Sequence, residues 1–182
     1  PDPDVTAGLG AAAAGYAAIV AHRQNLKTAP EELRTVARTN TVTSSLRFAD
    51  TFPTHEHAAT VLGAAADDLY EMKDFRPAIA AAQKLIERYP GAQPGIRRSA
   101  FTVVAHSSLE LAEYPQAEQA YVQVLALTPQ DDAGRQALVD NLAASIYKQG
   151  EQANAAQDYR AAADHCLRGK QAAPTSKIRA AA

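Results

Sequence analysis

DFRPAIAAAQKLIERYP, residues 74–90, decides how this chain reads, because its skeleton returns twice. Residues 113–129 are EYPQAEQAYVQVLALTP, and residues 158–174 are DYRAAADHCLRGKQAAP. All three segments have seventeen residues and close on Pro. Each opens on an acid and a ring: Asp74-Phe75, Glu113-Tyr114 and Asp158-Tyr159. Each carries Ala at the fifth place: Ala78, Ala117 and Ala162. Apolar residues then fall at i, i+4 and i+7, as Ala78, Ala82, Leu85 and again Ala117, Tyr121, Val124. That spacing marks one buried helical face. A face repeated in register requires the same kind of neighbour each time.

Helical periodicity extends outward from these segments in both directions, and no sustained period-two alternation suggests a strand. A first helix is expected from Asp4, with Asp4 as its N-cap, to about Lys27. Thr28 and Glu31 have capping-box spacing around Pro30, so a second helix should start there and stop at Pro53. Further helices are expected over about 55–72, 75–89, 96–111, 115–127, 133–156 and 159–172, with a ninth beginning after Thr175. Leu138, Leu142 and Ile146 form one stripe in the seventh, which Gly150 interrupts. The closing prolines stand at 53, 90, 129 and 174, separated by 37, 39 and 45 residues. Helix pairs recurring at such a period define a solenoid.

Composition narrows the function. Apolar residues make up 47% of the 182 and charged residues 21%, which is a folded rather than a disordered chain. A net charge of −2 gives no electrostatic basis for binding nucleic acid. No apolar run nears the roughly 18 residues of a membrane helix, so membrane insertion is not expected. Cys166 is the single cysteine, which excludes an internal disulfide. Alanine occupies 42 positions, favouring helices that approach closely. The chain starts at Pro1 and ends on SKIRAAA, and so reads as a fragment of a longer protein.

The repeated residues resemble tetratricopeptide repeats, whose unit is about 34 residues in two antiparallel helices. The best match is residues 59–92, with Leu62, Ala65, Ala66 and Leu69 in the first helix and Ala78, Ala82, Leu85 and Pro90 in the second. A second unit, residues 98–131, supplies Phe101, Val104, Ala105, Ala117, Tyr121, Val124 and Pro129. A third, residues 143–176, supplies Ile146, Gly150, Ala153, Ala162, Cys166 and Pro174. Ser108 and Gly169 depart from the pattern, standing where apolar residues belong. Residues 1–53 match only through Phe48 and Pro53, and residues 177–182 would begin a further helix. The resemblance implies an all-α, right-handed superhelical solenoid of antiparallel hairpins. In it Phe75, Tyr114 and Tyr159 should be largely buried at the turns, and Cys166 should face inward as an inert thiol.

Candidate chemistry is sparse. His55 and His57 in THEHA are two residues apart, which puts them on different sides of a helix, so exposed first-turn residues are expected rather than metal ligands. Asp67 with Glu71 and Asp131 with Asp132 read as solvated acids, and Arg97-Arg98 is a small basic patch. No catalytic residue, metal or cofactor is implied.

In the resembled family the outer face of each first helix lines a concave groove for peptides or partner proteins. The matching positions are Thr60, Gly63, Asp67, Tyr70 and Glu71; then Thr102, His106, Leu109 and Glu110; then Tyr147, Glu151 and Asn154. Spacings of 3, 4, 3 and 1 place the first set on one helical face. Asp67, Glu71, Glu110 and Glu151 would give that lining a negative potential, with Lys148 the nearest opposing charge, so a neutral or basic partner is expected. The places where some members grip an acidic tail hold Asp67, His106 and Glu151, so an acidic tail is not the implied ligand.

The expected function is a non-catalytic protein-binding scaffold in a larger assembly. The alternatives are a structural spacer in a larger repeat protein, or an accessory domain of an enzyme. ADTFP and IERYP resemble unit endings in envelope proteins of Gram-negative bacteria, which implies a periplasmic or outer-membrane-associated place. An open C-terminal end would allow an oligomer.

Overall fold

The computed structural model describes residues 3–176. Among them are eight helices: α1 Pro3–Thr28, α2 Glu31–Thr51, α3 Ala58–Glu71, α4 Phe75–Arg88, α5 Pro94–Glu110, α6 Tyr114–Ala126, α7 Arg135–Ala155 and α8 Tyr159–Ala172. The fold is all-α, 80% helical, with no strand among the described residues. α7 runs unbroken through Gly150. The expected ninth helix lies outside the described residues. Two compact units divide the chain: Pro1–Ala92, with α1–α4, and Gln93–Ala182, with α5–α8. In each, every helix packs on the next.

The acid-aromatic opening of the repeated segment marks one turn used three times. Lys73, Ala112 and Gln157 each stand one residue before the acid, with φ of 60°, 58° and 62°. Such a left-handed residue ends a helix by turning the next backbone N–H groups onto its last carbonyls. Asp74 N–H donates to Leu69 C=O (2.9 Å), and Lys73 N–H to Tyr70 C=O (2.8 Å). Glu113 and Ala112 repeat this on Ser108 and Leu109 (2.8 and 3.1 Å), and Asp158 and Gln157 on Ala153 and Asn154 (both 2.9 Å). The acid adds a side-chain cap only in α8, where Asp158 accepts from Ala161 N–H at 3.0 Å.

The closing prolines act as stops. A residue before Pro is held out of the α region by the ring's Cδ. Phe52, Tyr89 and Ala173 precede Pro53, Pro90 and Pro174, and their φ/ψ values are −126/61°, −125/58° and −135/63°. α2 therefore ends as α4 and α8 do. In the first unit Tyr89 Oη–H also donates to Pro53 C=O at 2.9 Å, fixing the end of α4 to the end of α2.

The cores follow the repeated face. Ala78, Ala82 and Leu85 are fully buried, as are Ala117, Tyr121 and, nearly, Val124. Leu62, Ala65, Ala66 and Leu69 in α3, Val104 and Ala105 in α5, and Leu142 and Ile146 in α7 are buried too. The small residues serve close approach. A Cβ on Gly15 of α1 would stand 3.2 Å from Phe48 Cδ2, and one on Gly150 would stand 3.4 Å from His165 Cβ. Ser108 takes its apolar place fully buried, beside Ser107 on the same helix, and Ser45 is likewise buried in α2. None of these three hydroxyls finds a hydrogen-bond partner, while Ser145 bonds back to Asn141 C=O (2.8 Å).

Several expectations are corrected. Asp4 lies inside α1 rather than at its cap. The Thr28–Glu31 capping box does not form: α2 has no side-chain cap, and Thr28 Oγ1 instead bonds back to Gln24 and Asn25 carbonyls at 3.3 Å. α3 starts at Ala58, because turns through 53–57 hold both histidines before the helix. Tyr159 is 67% exposed rather than buried, and Phe75 and Tyr114 are half-buried. Cys166 is exposed as well. Its counterparts, Ala82 and Tyr121, are 0% exposed. α6 packs between α5 and α7, whereas α8 has one main neighbour, α7, and buries no residue fully. α8 meets α7 through half-buried Ala162, His165 and Gly169, the last of which would place a Cβ 3.6 Å from Ile146 Cγ2.

Candidate functional site

The first-helix positions divide between the units. On α3, Thr60, Asp67 and Glu71 are exposed and Tyr70 is half-buried, its ring 5.8 Å from Phe75 across the turn. Gly63 is buried and drops out of the surface. On α5, Glu110 is exposed while Thr102, His106 and Leu109 are half-buried. Thr102 is committed to its own helix through Arg98 C=O (2.8 Å). On α7, Glu151 and Asn154 are exposed and Tyr147 is half-buried. Tyr70, Leu109 and Tyr147 therefore present edges rather than whole side chains.

Charge on these faces is more balanced than the four acids suggest. Arg38 of α2 reaches Glu71 at 2.9 Å. Its neighbour Arg23 of α1 reaches Asp68 at 3.2 Å, so α1 and α2 both bring cations onto α3. Burial pushes the Asp68 carboxyl up, against the charges of Arg23 and Arg38. On α7, Lys148 Nζ lies 2.6 Å from Glu151. That hydrogen bond holds the Glu151 carboxyl below its usual range and lifts the Lys148 ammonium, while Glu151 raises the Tyr147 phenol. Glu71 is thus paired by a residue distant in sequence and Glu151 by one three places away on its own helix, each beside an aromatic edge.

His106 sits deeper, its ring 5.6 Å from the buried Tyr121 of α6. Desolvation lowers its pKa below the ordinary 6.5, opposed by the Glu110 carboxylate. At neutral pH this position is an uncharged ring.

The other candidates resolve as structure. Arg98 pairs with Asp132 at 3.2 Å, and Asp132 also accepts from Gly134 N–H at 2.8 Å, so the basic and acidic pairs of the sequence close a loop together. No cluster of three or more His, Cys, Asp or Glu that could hold a metal occurs among the described residues. No described helix is long and apolar enough to cross a membrane.

One constellation had no signal in the sequence. His55 and His57 are half-buried rather than exposed, in a ring cluster with Tyr16 of α1 and Phe48 and Phe52 of α2. His57 stacks on Tyr16 at 4.1 Å, and His55 meets Phe48 edge-on at 5.1 Å. A second missed group is Glu118 of α6. It accepts from Gln149 of α7 at 2.6 Å and from Arg168 of α8 at 2.8 Å, which joins three helices of the second unit. No protein-family model matches the chain, and no curated protein matches it significantly.

Proposed function

We propose that the chain is a non-catalytic scaffold of tetratricopeptide-type hairpins that holds a peptide or protein segment on its first-helix faces, as part of a larger assembly. The observation that carries this reading is the recurrence of one left-handed turn at Lys73, Ala112 and Gln157, each joining a first helix to a second. A fold that reuses one hairpin presents the same helical face each time, which suits an extended ligand better than a small molecule in a cavity. Tyr70 and Tyr147 offer rigid aromatic area of the kind enriched at interfaces. With Glu71 and Glu151 already paired, charge contributes a modest preference for uncharged or basic segments.

The test is selection of peptides from a displayed random library on the intact chain, followed by titration of the enriched sequences. Tyr147→Ala and Tyr70→Ala should weaken binding, with circular dichroism unchanged. If no sequence is enriched, or if enriched peptides bind both variants as they bind the parent chain, the proposal fails.

A further inference from the structure

The turn between α2 and α3 is closed by a histidine in one protonation state. His57 backbone N–H donates to His55 Nδ1 at 3.2 Å. A nitrogen that accepts a hydrogen bond carries no proton, so the fold holds His55 with Nδ1 bare. The same turn is pinned by His55 N–H to Phe52 C=O (3.1 Å) and Ala58 N–H to His55 C=O (2.9 Å). The ring itself sits against Phe48, which is 3% exposed, and 6.0 Å from Tyr16.

Several groups face the two histidines. From α1, Tyr16 offers its ring face to His57, and an aromatic face attracts a cation. Within the turn, the Glu56 carboxylate lies 3.8 Å from His57 Nε2. From α2, the ring contacts are with Phe48 and Phe52, which carry no charge. From α4, Tyr89 reaches the turn through Pro53 C=O. His57 is the N-cap residue of α3, so the turn lies at that helix's N-terminus. His55 has an apolar neighbour and an Nδ1 already in use, and the two imidazole centroids are 5.4 Å apart.

We propose that His55 is an acid-sensitive latch: a proton on Nδ1 removes the acceptor for His57 N–H and releases the 52–57 turn that joins the α1–α2 pair to α3. The unit containing α1–α4 loosens at mildly acidic pH while α5–α8 does not respond through this group.

Hydrogen exchange of the full chain, corrected for intrinsic rate, tests it between about pH 7.5 and about pH 5, where an imidazole ordinarily takes its proton. Protection of the His57 amide should fall about tenfold or more between these two pH values, as expected when one hydrogen bond opens with its turn. His55→Asn keeps an acceptor oxygen near the Nδ1 position and cannot titrate there, so its protection should be independent of pH, whatever its absolute level. His57→Gln keeps the latch and should keep the response, which secures the test if His55→Asn does not fold. Ring nitrogen chemical shifts at neutral pH should report the proton of His55 on Nε2. Unchanged protection of the parent chain, an equal loss in His55→Asn, a flat response in His57→Gln, or a proton on Nδ1 at neutral pH would each overturn the proposal.

Discussion

Ala112→Gly should stabilise the second unit. Ala112 has φ of 58° and is exposed, so its methyl group gains nothing from packing and meets the following carbonyl instead. That conformation costs an L-residue roughly 1–2 kcal/mol. Glycine removes the clash but has more freedom to lose on folding, an offset of about 0.5–1 kcal/mol. The net gain is about 0.5–1 kcal/mol, or roughly 3–6 °C in a unit of this size. Gln157→Gly should act alike in the same unit and Lys73→Gly in the first, since both are exposed at φ of 62° and 60°. The turns are separate, so the effects should add. Urea unfolding followed by circular dichroism gives the energies, and hydrogen exchange assigns each gain to its unit. Ala112→Val is the opposing control, because a β-branched residue is worse still with positive φ. A loss of stability in Ala112→Gly, or no loss in Ala112→Val, would show that the turn is not built as described.

Three further substitutions test the packing of the second unit. Gly169→Ala should stabilise α8 by about 0.5–1 kcal/mol, since helix propensity favours Ala and the new Cβ meets Ile146 Cγ2 at an ordinary 3.6 Å; a loss in urea unfolding would mean that α8 lies closer to α7. Ser108→Ala removes a fully buried hydroxyl without a hydrogen-bond partner and should raise stability by roughly 1 kcal/mol, whereas a comparable loss would reveal a bond to that oxygen. His106 has a folded pKa lowered by burial, so the unfolded chain binds its proton more readily. Its neutral packing supports the fold above the ordinary value of 6.5, and that support is lost as pH falls from there towards the lowered one. His106→Gln should therefore flatten the fall in second-unit stability below that pH; an unchanged slope would place the titration elsewhere.

What the sequence made legible is what repeats locally. The face Ala78, Ala82, Leu85 and its copy Ala117, Tyr121, Val124 could be read from spacing alone, and both are buried. The pre-proline stops could be read because Pro constrains its neighbour whatever surrounds it. The left-handed residues could not: a Lys, an Ala and a Gln give no sign of positive φ where Gly would have. The ion pairs Arg38–Glu71 and Arg23–Asp68 were also out of reach, since they join residues 33 and 45 positions apart in sequence. The histidine cluster needed Tyr16 and Phe48 to meet across a helix pair whose own repeat signal is faint.

Cys166 and Tyr159 show why register by itself does not determine burial. Tyr121 and Cys166 hold the same place in the seventeen-residue segment, yet one is fully buried and the other exposed. The ring of Tyr121 lies 5.6 Å from His106 on the preceding helix, α5, and a second helix packs on α6 as well. α7 supplies that contact for α6, together with Glu118, which draws Gln149 and Arg168 towards the same seam. α8 has α7 as its one main neighbour, and its large apolar positions Tyr159 and Leu167 remain 67% and 59% exposed. Within this unit, burial of the place follows the number of helices packed on it, which the segment itself does not encode. The energy of the outer face follows the neighbour: a helix with one partner leaves unrealised roughly 25 cal/mol for each Å² of apolar surface that a second would cover. By the same argument, changing Tyr159 should affect stability far less than changing Tyr121, although the two residues are identical and both lie on second helices.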